Sequence, residues 1–361
     1  MKKIPVIVIF APTATGKTAL TEKLFGQGSL FFKDRAEIIS ADSMAVYKDM
    51  NIGTAKPDLK LQNQIPHHMI DMVSPDVQFD VSEFVEKADI ACKEIYERNK
   101  IPVVAGGTGF YIRNFLLGLP QTPESDSKIR HQLKAEAKER GLDFMYQKLK
   151  TVDEKSAEKI NPNDEYRILR ALEVFYLTGK PRSSFELSSK LREQYDFFTI
   201  ILQRDREELY KRIDMRVDMM FDEGLEKEVQ SLIEKGYRKE MPGMQAIGYR
   251  EFFMNLETIE EVKEKIKTDS HKYAKKQYLF MKGIPEARFY RINDVNYESV
   301  TDIIKNDLVQ WCKFIYENCQ PAVSCGNYCS LLQYKLRRIV IAIASGKSLI
   351  TNYSYTITMT S

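Results

Sequence analysis

The residues best placed for chemistry lie near the amino terminus, in Ala11-Pro12-Thr13-Ala14-Thr15-Gly16-Lys17-Thr18. They follow an apolar run, Ile4 to Phe10, and open a helix. The spacing fits the phosphate-binding pattern G-x-x-x-x-G-K-[ST], with Ala11 standing at the first glycine. In such a loop the backbone amides and helix amino terminus wrap an anion. Lys17 then adds a point charge, and the Thr18 hydroxyl is placed to ligate Mg²⁺. The loop alone does not name its guest. A nucleoside triphosphate is the usual one, a diphosphate fits the same cradle, and a helix start with no ligand is the bland alternative.

Five short β-branched or aromatic runs must position this loop: Val6–Phe10, Glu37–Ser40, Pro102–Ala105, Phe197–Leu202 and Arg288–Ile292. Helical stretches such as Lys17–Phe25 and Val81–Arg98 separate the first three. That alternation predicts an α/β fold with a mostly parallel sheet and right-handed crossovers. The gap between the third and fourth runs is too long for one crossover. It holds the charged helical stretches Lys128–Arg140, Asp143–Leu149, Asp153–Ile160 and Asp164–Thr178, the last closed by Gly179-Lys180-Pro181. The expected organisation is a catalytic core over 1–114 and 196–315, a helical insertion domain over 115–195, and an atypical tail over 316–361.

The 361 residues are 43% hydrophobic and 29% charged, enough to bury a core and unlike a disordered or fibrous chain. With 54 Lys and Arg against 51 Asp and Glu the net charge is +3, so any polyanion must be held by local patches. The five cysteines are odd in number, and Cys312, Cys319, Cys325 and Cys329 crowd the end. This is a reducing-compartment pattern, and their spacing with no His beyond His271 does not suit zinc. The run Ile4–Phe10 is too short for a signal core or a membrane span, so a cytoplasmic location is expected, away from membranes and as a monomer. His67 and His68 read as a structural pair, because no carboxylate–His spacing accompanies them. Ser345-Gly346-Lys347-Ser348 imitates a phosphate loop, but Ile341 occupies its first position and chance explains it.

Further motifs follow in order: Ile38-Ile39-Ser40-Ala41-Asp42-Ser43, Asn51-Ile52-Gly53-Thr54-Ala55-Lys56-Pro57, Pro66-His67-His68-Met69-Ile70-Asp71 and Ala105-Gly106-Gly107-Thr108-Gly109. Beyond them stand Tyr166-Arg167-Ile168-Leu169-Arg170, Arg212–Arg216, Gln245-Ala246-Ile247-Gly248-Tyr249-Arg250 and Tyr273-Ala274-Lys275-Lys276-Gln277. With the phosphate loop, this set resembles the tRNA dimethylallyltransferases (tRNA isopentenyltransferases) over about residues 4–310. Departures are Ala11 for Gly, Thr15 where the family usually has Ser, and the tail.

The resemblance implies a P-loop-kinase-like core whose helical insertion grips an anticodon stem-loop. The implied reaction moves a dimethylallyl group from dimethylallyl diphosphate to N6 of the adenosine just 3′ of the anticodon, in tRNAs reading U-initial codons. An adenine amino group is a poor nucleophile, and Asp42, at the end of a parallel strand, is then the general base. A helix cap or a Mg²⁺ ligand is the alternative reading of Asp42. Lys17, the Thr15 hydroxyl and an arginine would stabilise the leaving diphosphate, with Mg²⁺ as cofactor. Arg212 and Arg216 share a flank of one helix, and Arg216 is preferred for that role over a solvated face paired with Asp214 or Asp218. Asp42, Ser43, Met44, Ala45, Thr108, Arg130, Tyr166, Arg167, Ile168, Leu169 and Arg170 match the family's tRNA contacts. Arg167 and Arg170, three apart, are placed to project from one face, although any solvated helix looks alike. Lys263, Lys265, Lys267, Lys272, Lys275 and Lys276, interleaved with Tyr273 and Tyr278, suit an RNA backbone with unstacked bases. The rival functions are a transferase acting on free AMP, ADP or ATP, a P-loop small-molecule kinase, and a non-enzymatic RNA-binding module.

Overall fold

The protein is described by a computed structural model covering residues 3–29, 31–185 and 188–318. Cys319, Cys325, Cys329, Ser345–Ser348 and the tail beyond Asn318 lie outside the described residues. The chain divides into two units, Met1–Trp311 and Cys312–Ser361. All that follows on the site concerns the first.

Strand β1 (Ile4–Phe10) is apolar from end to end because both of its faces are covered, and only Ile4 is not fully buried. The phosphate loop leads from it into α1 (Lys17–Phe25), then β2 (Ala36–Ser40), α2 (Leu59–Gln64) and the two-residue β3 (His67–His68). Helix α3 (Val81–Glu97) starts at a capping box in which Asp80 and Glu83 satisfy each other's backbone amides. Then come β4 (Ile101–Gly106) and α4 (Gly109–Leu117). Four helices intervene: α5 (Ser127–Arg140), α6 (Leu142–Val152), α7 (Glu154–Lys159) and α8 (Glu165–Thr178). The chain returns as β5 (Tyr195–Gln203), α9 (Arg206–Asp222), α10 (Leu225–Glu234), α11 (Ile259–Met281), β6 (Arg288–Arg291) and α12 (Tyr297–Asn318).

The strands form one parallel sheet in the order β3-β2-β4-β1-β5-β6. Phe10 lies opposite both Gly106 and Ile201, and Ser40 opposite Ala105. The strands therefore end level, and the loops leaving β1, β2, β4 and β5 emerge along one edge of the sheet. In open α/β sheets that edge is where ligands bind.

The sequence reading found five of these strands within a few residues and missed β3. Its two histidines carry no strand pattern, and β3 is held by Ile38 and by the buried Glu37. His68 Nε2 lies 2.7 Å from Glu37 Oε2, while Arg98 and Lys100 bind the same carboxylate at 2.7 and 2.9 Å. Burial alone would push Glu37 up, but these three partners hold it down, at about 2. Helices α5 to α8 enclose a core of their own, built on Leu133, Met145, Leu149, Ile168 and Leu172. Asp126, Asp153 and Asp164 cap three of them through backbone amides. Helix α4 runs on to Leu117, and Phe115 and Leu116 belong to the main core. Among the described residues no helix is long and apolar enough to cross a membrane.

Candidate active site

The phosphate loop turns out of β1 through left-handed backbone at Ala14 and Gly16 (φ 58° and 109°). At Gly16 only glycine adopts this conformation without strain. Three donors pull the loop's carbonyls outward. Arg212 Nε donates to Ala14 O at 3.0 Å, Arg204 Nε to Thr15 O at 2.8 Å, and the Tyr297 hydroxyl to Gly16 O at 3.3 Å. Arg204 is almost fully buried, and Asp294 balances both it and Arg212 at 2.9 and 3.1 Å. With its carbonyls engaged this way, the loop and the first turn of α1 form a cradle of N–H groups.

Arg212 and Arg216 have separate tasks. Arg212 lines the cavity too, but it braces the Ala14 carbonyl and is paired with Asp294. Arg216 Nη1 donates to the Thr13 hydroxyl at 2.8 Å and sits on the wall of a cavity of about 550 Å³. Lys17, Thr18, Asp42, Ser43 and Met44 line the same cavity. Burial lowers the pKa of both Lys17 and Arg216, while attraction to the Asp42 carboxylate opposes that shift in each. Two cations thus share one carboxylate, with Glu223 a lesser attraction on Arg216. A bound anion would relieve the cost of burying them. The Thr15 hydroxyl is fully buried on the cavity wall and has no hydrogen-bond partner among the described residues.

The cavity also has apolar lining, from Ile213, Val217 and Met220 of α9 with Ala246, Ile247 and Ile266. Asp42 also lines this space. Its Oδ1 accepts from the Met44 and Ala45 amides at 2.9 and 3.4 Å, so a cap-like turn fixes the carboxylate without removing it from the cavity. The Thr108 hydroxyl accepts from the Ser43 amide at 2.9 Å and donates to Ser43 Oγ at 3.2 Å. Gly106 is required beneath this turn, since a Cβ there would lie 2.0 Å from Ala41 O.

Several expected RNA contacts are placed differently. Ile168 and Leu169 are buried in the α5–α8 core, which corrects their assignment as tRNA contacts: apolar side chains on the inner stripe of α8 are spent on packing. Arg167 is exposed beside Asp164 at 3.3 Å, whereas Arg170 binds the buried Glu173 at 2.8 Å and Pro123 O at 2.6 Å. The two therefore do not present one common face. Arg130 lies over the exposed Tyr166 ring at 5.0 Å and reaches Ser125 at 3.1 Å. The lysine run is mostly neutralised. Lys263 pairs with Glu260, Lys265 and Lys272 with Asp269, and Lys267 with Asp218 and Glu264, leaving Lys275 and Lys276 among its exposed members. Tyr273 lines the cavity, and the Tyr278 hydroxyl bonds the Arg204 backbone, so neither interleaves with the lysines on an RNA surface.

Two features escaped the sequence. Arg204 is one, and its position just past the end of β5 was the available signal. The other is Glu228, whose carboxylate accepts from the Asn51, Ile52 and Gly53 amides and from the Tyr249 hydroxyl at 2.6 Å. It shapes the loop bearing Thr54 and Ala55, which also line the cavity.

The geometry finds counterparts in known proteins. A family model described as IPP transferase matches residues 45–283. The tRNA dimethylallyltransferase of Clostridioides difficile is 42% identical over 318 residues, covering 87% of this chain and 99% of that protein. Its namesake in Acetivibrio thermocellus is 42% identical over 306 residues, covering 83% and 95%. The crystal structure of the tRNA isopentenylpyrophosphate transferase from Bacillus halodurans superposes with a TM-score of 0.62 at 33% identity, over 87% of this chain and 99% of that one. A eukaryotic dimethylallyltransferase captured acting on tRNA gives a TM-score of 0.73 at 29% identity, over 92% and 84%. A P-loop-like parallel sheet, a cationic cradle sharing a cavity with apolar lining, and likeness along nearly all of the described chain agree: this chain belongs to the IPP transferase family.

Proposed function

We propose that this prenyltransferase moves a dimethylallyl group from dimethylallyl diphosphate to N6 of the adenosine 3′-adjacent to the anticodon, in tRNAs reading U-initial codons. One observation carries the reading. A single cavity joins a cationic phosphate cradle to an apolar wall and places a carboxylate beside both. That is the complement of an anion attached to a short hydrocarbon, with a base for the incoming acceptor.

In this reading the diphosphate lies in the loop Ala11 to Thr18, against the amides not spent within the protein, with Lys17, Arg216 and the Thr15 hydroxyl around it. The apolar side chains of α9 hold the hydrocarbon and exclude water from the allylic carbon. The adenine N6 attacks that carbon as the carbon–oxygen bond to the diphosphate breaks. The electron pair goes to the diphosphate oxygen, where Lys17 and Arg216 meet the growing charge. Asp42 takes the N6 proton. The Thr18 hydroxyl on the cavity wall is an oxygen donor of the kind a hard cation takes, with substrate phosphate oxygens completing its shell. Mg²⁺ held there by Thr18 would neutralise diphosphate charge.

The acceptor would enter past Ser43, Met44, Ala45 and Thr108. The helical insertion, with Arg130, Tyr166, Arg167 and Arg170, would hold the stem-loop, and the protein would act as a monomer in the cytoplasm. The test is to offer labelled dimethylallyl diphosphate or γ-labelled ATP with tRNA and small acceptors. Prenyl label on tRNA is expected. Phosphoryl transfer from ATP without prenyl transfer would replace this reading with a kinase.

A further inference from the structure

Gln277 stands in a motif of the sequence yet plays no part in the chemistry above. It is a buried amide on α11, and a buried amide needs partners for both its oxygen and its nitrogen. Its Oε1 accepts from the Thr13 amide at 3.2 Å, and its Nε2 donates to the Gly107 carbonyl at 2.7 Å. One side chain therefore straps together the loops that leave β1 and β4.

The strap joins two working halves. Thr13 is the residue whose hydroxyl receives Arg216, on the diphosphate side. Gly107 precedes Thr108, whose hydroxyl fixes Ser43 beside Asp42, on the acceptor side. Glycine at 107 leaves the room the strap needs, because a Cβ there would meet Gln277 Nε2 at 2.6 Å. From Arg216 to Ser43 the contacts run through Thr13, Gln277, Gly107 and Thr108, each a hydrogen bond or a covalent neighbour.

We propose that Gln277 is a positioning residue that couples the diphosphate half of the site to the acceptor half, so that each substrate tightens the other. This rests on the function proposed above. A ligand that orders the β1 loop passes that order through the strap to the β4 turn, and the second ligand meets a lower ordering cost. Linkage requires the effect to be equal in both directions, which gives an internal check.

The experiment uses the full chain, inorganic diphosphate and an anticodon stem-loop RNA, each titrated alone and against a saturating amount of the other. Wild type should show mutual tightening of at least about fivefold, the lower end of ordinary coupling between sites. Gln277→Met keeps the side chain's length and removes both bonds. Gly107→Ala leaves Gln277 in place and displaces its nitrogen. Circular dichroism checks the folding of each, and if one fails to fold, the other decides. In a folded variant the tightening should fall below about twofold, with each ligand alone bound within about threefold of wild type. Coupling retained in the folded variants overturns the proposal. Wild type that prenylates tRNA but shows no mutual tightening overturns it too and leaves the function standing. Wild type that forms no prenylated tRNA overturns both.

Discussion

At the scale of single residues, Asp42 and Lys17 line one cavity but answer to different substrates. If Asp42 accepts the N6 proton, Asp42→Ala should lower kcat by ~10²–10⁴-fold, the usual contribution of a positioned base. Binding of tRNA should barely change, since phosphate contacts elsewhere carry most of its affinity. Steady-state kinetics and a separate RNA-binding titration check both parts. Lys17→Ala removes charge from the cradle, so affinity for dimethylallyl diphosphate should fall together with the rate. Loss of diphosphate binding in Asp42→Ala, with chemistry intact at saturation, would instead make Asp42 a metal-site residue. The two arginines of α9 show how far sequence reaches. Their spacing put both on one flank, and both line the cavity; only their partners, Thr13 for Arg216 and Asp294 for Arg212, tell them apart.

At the scale of elements, Glu37 ties β3 to β2 and β4 through His68, Arg98 and Lys100. Its pKa lies near 2 in the folded protein against an ordinary 4.5, so the native state keeps it ionised where the unfolded chain would protonate it. The stability it provides is full above about pH 4.5 and is lost as pH falls toward 2. Melting temperature followed over that window should drop, and Glu37→Gln should flatten this part of the curve. Glu228 offers a second check. Glu228→Ala leaves backbone amides and the Tyr249 hydroxyl without their acceptor, at a cost of ~1–3 kcal/mol by denaturant unfolding. The elements themselves were largely legible. The stretch Lys17–Phe25 matches helix α1 to the residue, α5, α7 and α8 start at Asp caps, and α8 stops at Gly179. What could not be read was tertiary: β3 is polar and two residues long, Ile168 and Leu169 resemble any motif residues until α8 is packed, and the lysines of α11 look basic until their acidic partners fold against them.

At the scale of the whole molecule, the sequence motifs of the site all lie between Ala11 and Gln277. Truncation after Asn318 should therefore leave prenyl transfer intact, and a folded, inactive product would count against that. A chain with a net charge of only +3 must hold RNA through local clusters, so tRNA affinity should fall steeply with salt. Equal affinity at low and high salt would argue against the half-buried Arg130 and the exposed Arg167, Lys275 and Lys276 as contacts. The central claim is that the acceptor is an adenosine in tRNA, and it can be read from the product. The protein is incubated with labelled dimethylallyl diphosphate and an equimolar mixture of tRNA and AMP. The tRNA is then digested and its nucleosides and fragments identified by mass spectrometry. The account predicts label in tRNA, as N6-dimethylallyl adenosine immediately 3′ of the anticodon, and label on AMP with none on tRNA would contradict it.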